Sequence, residues 1–248
     1  MKMSFDRNMF TQIGLDSGSL TIFGTVVRNF PDPGEYRGVL HRGEDIEAIF
    51  YIKVDKNSPV AQVNIDLAKL SNDVPEPSKY SSDKLDTQSH YVVHPKGYAL
   101  FHVSGGSGSF YVHVRKAEEG SKHKPFDSRE LSEGDIFSAI IIRPGTYSVT
   151  NLLSKARGEI VVSYPKIGKT AYIPPDPIRV ECKEGTFEPE KVKLQPGQGL
   201  IYHIITPSRI KIVLLKPDDG PEHRREPTEP GWKKPVLGKN PSQNLSRK

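Results

Sequence analysis

Apolar side chains recur at every second position through most of this chain. That period of two predicts strands whose faces are apolar on one side and polar on the other. The alternation marks residues 19–30 (SLTIFGTVVRNF), 46–54 (IEAIFYIKV) and 60–70 (VAQVNIDLAKL). The second half of the last run leaves room for a short helical turn. Residues 97–116 (GYALFHVSGGSGSFYVHVRK) hold two alternating runs around Gly105–Ser109. Glycines supply positive φ without a Cβ clash, so this stretch predicts a β-hairpin. Further strands are expected within 136–152 and 158–165, joined by Pro144-Gly145 and Ala156-Arg157-Gly158. Four more are expected at Ile178–Lys183, Lys191–Gln195, Gly199–Thr206 and Arg209–Leu215.

Between these runs the pattern breaks. Residues 71–89 are polar and aperiodic, as expected of a long surface loop. Residues 166–177 (KIGKTAYIPPDP) contain three prolines and no period, the composition of a linker. From 216 to 248 periodicity is lost, with six prolines, eight Lys+Arg and a single Trp. The expected organisation is therefore an arm (1–17), an antiparallel β-sandwich (18–165), the linker (166–177), a smaller β segment (178–215) and an extended tail (216–248). The fold class is all-β. No repeat of 20–50 residues with shared spacing is visible.

Composition agrees with this picture. Among 248 residues, 21 Gly and 21 Pro suit short strands joined by tight turns, and Tyr and Phe supply 20 of the 21 aromatics. No apolar run is long enough for a membrane-spanning helix. The charged start, MKMSFDRNMFTQ, lacks the apolar stretch of a secretion signal, which slightly favours the cytoplasm as the expected location. Cys182 is the single cysteine, so no internal disulfide forms. The net charge of +5 is uneven. Residues 1–165 carry 19 Lys+Arg against 20 Asp+Glu, and residues 166–248 carry 16 against 10. A basic C-terminal third is suited to an anionic polymer such as nucleic acid, although a solvated surface is the favoured reading.

One segment carries a family resemblance. Phe187-x-Pro189, followed by Val192, Leu194, Gly197, Leu200 and Ile201, resembles the early strands of cupredoxin-like β-sandwiches. The resemblance covers about 30 residues and implies a copper site built from two His, one Cys and often a Met. The sequence departs from that set. Cys182 precedes the motif, the first His position falls in TPSRIKI (206–212), and the methionines are Met1, Met3 and Met9. A blue-copper centre needs a thiolate and two imidazoles at short range, so only a kinship of shape is expected, with no cofactor.

Other candidate chemistry is sparse. In the expected hairpin, His102 and His113 lie opposite each other on its polar side, with His94 or His90 as a third imidazole for copper or zinc. Two exposed histidines are the plainer reading. The Gly-rich stretch Gly105–Ser109 precedes a strand, not the helix that a phosphate loop needs, and it fails the nucleophile-elbow pattern. Gly168-Lys169-Thr170 lacks the earlier glycine of a nucleotide P-loop. No Ser/His/Asp, Cys/His or paired-carboxylate set emerges by spacing. The expected function is a non-catalytic interaction or structural subunit, binding a protein partner or its own copies. Its tail residues Trp232, Lys233, Lys234, Val236 and Leu237 are the candidate docking contact.

Overall fold

A computed structural model describes residues 13–72, 89–118, 124–165 and 172–218. Among these residues seventeen strands form three sheets, with one short helix between them. In chain order they are β1 (Gly14–Asp16), β2 (Gly24–Asn29), β3 (Gly34–Arg42), β4 (Asp45–Val54), β5 (Gln62–Asp66), α1 (Leu67–Asn72), β6 (Ser89–Val93), β7 (Tyr98–His102), β8 (Phe110–Lys116) and β9 (Phe126–Asp127). Then follow β10 (Ile136–Ile140), β11 (Gly145–Asn151), β12 (Arg157–Val162), β13 (Ile178–Lys183), β14 (Thr186–Glu188), β15 (Lys191–Leu194), β16 (Gly199–Ile204) and β17 (Ile210–Pro217). The all-β class and the short helix after β5 both agree with the apolar pattern.

The outer sheets each have five strands, ordered β6-β4-β3-β8-β9 and β1-β17-β11-β12-β15. The middle sheet has seven, ordered β14-β13-β16-β10-β2-β7-β5. Each outer sheet covers one half of the middle one. Phe50 of β4 meets Phe101 of β7 at 6.2 Å between ring centroids, and Phe101 stacks on Phe126 at 5.7 Å. In the other half Phe187 of β14 packs edge-on against Tyr202 of β16, opposite Val149 and Ile160 of the outer sheet.

The two halves repeat one topology. β2 and β10 lie at the centre and pair antiparallel with each other. β2 pairs with β7, which pairs in parallel with β5; β10 pairs with β16, which pairs in parallel with β13. β3 and β11 likewise each run between two antiparallel neighbours, β4 and β8 in one case, β12 and β17 in the other. Residues 16–40 and 127–151 align without a gap at an offset of 111 residues. Asp16/Asp127, Ser17/Ser128, Leu20/Leu131, Pro33/Pro144, Gly34/Gly145 and Tyr36/Tyr147 are identical pairs. Their structural roles match too. Gly34 and Gly145 both sit at strongly positive φ (140° and 150°), where a side chain is strained. Two residues on, the Tyr36 and Tyr147 hydroxyls donate to the carbonyls of Asp32 and Arg143, four positions back in each case. Phe23 and Gly134, also equivalent, share a left-handed backbone (φ 73° and 85°).

The strand before each repeat closes the other repeat's outer sheet. β1 pairs with β17, and β9 pairs with β8. Buried Ser17 and Ser128 follow these strands. Their Oγ atoms accept the N–H of Ile210 and of Val112, each at 3.0 Å.

Three expectations need correction. The run 97–116 is not a hairpin: β7 belongs to the middle sheet and β8 to the first outer sheet. The Gly-rich stretch between them crosses from one layer to the other, with Gly106, Gly108 and Ser109 at positive φ. Residues 178–215 are not a separate small segment beside a sandwich of 18–165. β15, β16 and β17 pair with β12, β10 and β11, so these residues continue the same sheets and bury their apolar faces in the same core. Finally, residues 172–177 do not span a gap between domains. Tyr172 donates to the Pro196 carbonyl (2.8 Å), and the Asp176 carbonyl accepts from Gln198 (2.7 Å).

Candidate interaction face

The repeat supplies an internal comparison, because two outer sheets with the same pairing present two exposed faces. In the first sheet, one row across the strands reads His90, Tyr51, Arg37, Arg115 on β6, β4, β3 and β8. Alternation turns all four outward, since Phe50, Ile52, Tyr36 and Val114 beside them are buried. Tyr51 and His90 stack with ring centroids 5.1 Å apart and planes 14° from parallel. Arg37 and Arg115 stand directly opposite each other. Among the described residues neither has an ion-pair partner.

The equivalent row in the second outer sheet reads Lys191, Glu159, Ser148, Val213. An ion pair (3.8 Å) replaces the aromatic stack, and a hydroxyl and an apolar side chain replace the two arginines. The next row differs in the same sense. Ile49, Val39 and His113 in the first sheet correspond to Arg157, Thr150 and Lys211 in the second. The fold is therefore indifferent to arginines, aromatics or an apolar strip at these places, and one face carries all three.

A third row is partly structural. Tyr111 stacks on His41 at 4.7 Å, with Arg129 over its other side at 4.2 Å. Arg129 grips Asp127 at 2.7 Å. Burial alone would raise the Asp127 carboxyl, but hydrogen bonds from the Arg129 side chain and backbone outweigh it and hold it below the usual range. His41 is lowered, first by burial and then by Arg129 and His113. The second repeat has the same anchor in another arrangement: Arg209, at the place of Tyr111, pairs with Asp16 at 3.0 Å. Gly18 leaves room for it, since a Cβ there would lie 2.5 Å from the Arg209 Nε. An Asp–Arg pair at the closing strand thus belongs to the fold, whereas the Arg37–Arg115 pair belongs to one face only.

An open concavity of about 240 Å³ lies at the edge of the same half, lined by Arg42, Lys69, Phe110 and residues 104–107. Its cations are compensated. Arg42 pairs with Glu47 (3.4 Å) and donates to Ser71 (3.1 Å), and Lys69 faces Asp66 (3.6 Å).

The histidines singled out from the sequence are dispersed. His102 lies on β7 between Thr25 and Asp66, and His113 lies on β8 between Val39 and Asp127. His94 sits in a turn, where its Nδ1 accepts the Lys96 N–H at 3.0 Å. The hairpin that was to bring His102 and His113 together does not exist. Among the described residues no group of three or more His, Cys, Asp or Glu side chains is placed to hold a metal. Burial pushes the Cys182 thiol up to about 12, which leaves it a poor nucleophile or ligand at neutral pH. Ser208, within the stretch where a first copper ligand was sought, is buried and accepts from Asn151 at 2.9 Å. Trp232, Lys233, Lys234, Val236 and Leu237 lie outside the described residues. Among the described residues no helix is long and apolar enough to cross a membrane.

Sequence reasoning missed the Arg37–Arg115 row because strand pairing creates it. The two residues are far apart in sequence, and no motif links them. Compared with known proteins, the chain matches no family model, no curated protein and no solved structure.

Proposed function

We propose that this protein is a non-catalytic β-sandwich interaction subunit of a larger protein assembly, and that it meets its partner through the exposed face of the sheet β6-β4-β3-β8-β9. One observation carries this reading: among the described residues, of two equivalent faces only this one sets two arginines without ion-pair partners directly opposite each other, beside stacked aromatic rings and a half-buried apolar strip. Tyr and Arg are the side chains that contribute most at protein interfaces. The basic, proline-rich stretch 219–248, with Trp232, Lys233, Lys234, Val236 and Leu237, is the proposed second contact on the partner. The likeness of 178–215 to cupredoxin-like sandwiches enters as a kinship of shape, with Cys182 in the core.

The reading is tested by the mass of the assembly. The full chain, expressed in its native host with a small affinity tag, should purify in a complex of fixed stoichiometry by light scattering. Deleting 219–248 should reduce partner retention at least about tenfold while the remaining chain stays folded. A chain that purifies only as a free monomer would overturn the proposal.

A further inference from the structure

The directly opposed Arg37 and Arg115 carry a specific implication. Like charges facing each other across a ladder repel, and a sheet normally avoids them or pairs each with an anion. The second repeat does avoid them, placing Ser148 and Val213 at the equivalent positions. In the first repeat the two arginines are register partners on neighbouring strands, Arg115 exposed and Arg37 half-buried, and among the described residues neither has an ion-pair partner. Two planar forks side by side are the donor set that a carboxylate or phosphoryl group takes in bidentate fashion. We propose that Arg37 and Arg115 form an anion-recognition centre that receives Asp or Glu carboxylates of a protein partner, with apolar side chains of the same partner segment packing on Val39, Ile49 and Tyr51. This rests on the interaction reading above and names the chemistry of its partner.

Charge decides between a protein and a nucleic acid. A polyanion needs a broad positive field, because its affinity comes from neutralising many phosphates. Residues 1–165 are nearly neutral, with 19 Lys+Arg against 20 Asp+Glu. The surroundings of the pair include acidic groups: Glu35 lies opposite Lys53, and Glu47 and Asp127 are partly exposed near the edges. The second aromatic, Tyr111, is already held between His41 and Arg129, which leaves only the single Tyr51–His90 stack on this face and no row of rings for successive bases. A small positive focus beside Val39 and Ile49, with acidic groups around it, matches a protein surface of mixed charge. It does not match a phosphate backbone.

The test uses the full chain and three probes: a synthetic peptide of about twelve residues alternating Glu with Leu and Val, its Lys counterpart, and an oligothymidylate of about the same length. Binding is followed by NMR on the Arg side-chain Nε–H and the backbone signals. The expected result is that the Glu peptide shifts the signals of Arg37, Arg115, Tyr51 and His90, and that its affinity falls with added salt. The variant R37S/R115V installs the residues of the second repeat. It should weaken the Glu peptide at least about tenfold and raise the melting temperature by about 1–4 °C, as like-charge repulsion is removed. R37E/R115E should prefer the Lys peptide. The proposal is overturned if R37S/R115V binds the Glu peptide unchanged, if it melts well below the parent chain, or if oligothymidylate binds the arginines more tightly than the Glu peptide does. If R37S/R115V fails in none of these peptide assays yet still assembles natively, the arginine pair is wrong and the interaction reading survives. Loss of the native assembly from the parent chain itself would defeat that reading first.

Discussion

Asp135 is fully buried and bonded at 2.9 Å to Arg28, whose side chain is one-quarter exposed. Burial raises its carboxyl above the usual range, and Arg28 only partly counters this. A carboxyl raised on folding contributes stability below its unfolded pKa and loses that contribution as pH rises through the folded value. At neutral pH the charge is therefore tolerated because Arg28 faces it. The variant R28M keeps most of the packing and removes the charge, so it should cost about 3–5 kcal/mol at about pH 7. The cost should shrink at a lower pH, because protonation of Asp135 removes the charge that Arg28 no longer faces. Denaturant titrations of variant and parent at both pH values check this. A penalty that does not change with pH would place the cost in lost packing. The comparison cancels the opposite trend of Asp66 and Asp127, whose depressed carboxyls lose their stabilising contribution as pH falls through their folded values.

Strands were more legible than their pairing. Leu20, Val26, Phe50, Ile52, Phe101 and Val112 are all buried, as the period of two requires. The reading of 97–116 as a hairpin failed for a particular reason. Alternation and a Gly-rich turn are equally good for strands that pair and for strands that face each other from two layers. The closing strands show the same limit. β1 is three residues long and has no signature of its own, yet it covers the edge of β17 and carries Ser17 to the Ile210 N–H. Deleting the chain through Ser17 would uncover that edge, strand the buried N–H and remove the Asp16–Arg209 pair. The expected loss is at least about 2 kcal/mol, with self-association through the opened edge, measured by denaturation and light scattering.

The molecule as a whole should unfold as one unit. The middle sheet runs unbroken through both halves by the β2–β10 pairing, and each half depends on a strand that precedes the other. Circular dichroism and the alkylation of Cys182 should therefore report the same midpoint in denaturant, since Cys182 is fully buried and protonated until its half opens. Two separated transitions would show that the halves are independent. The 111-residue repeat explains why this unity escapes a reading along the chain. Six identities across residues 16–40 and 127–151 are too few to notice until the equivalent turns, hydroxyl bonds and closing strands are superposed.

By itself the sequence determined that this is a β protein, which positions are buried within each strand, and where the chain turns. Those properties are local, set by side-chain alternation and by backbone freedom at Gly and Pro. Only the tertiary structure decided which strands are neighbours, that two copies of one topology share a central sheet, and that Arg37 and Arg115 stand side by side. Strand partners are chosen by long-range burial and closure of sheet edges, and that information belongs to no single stretch of the chain.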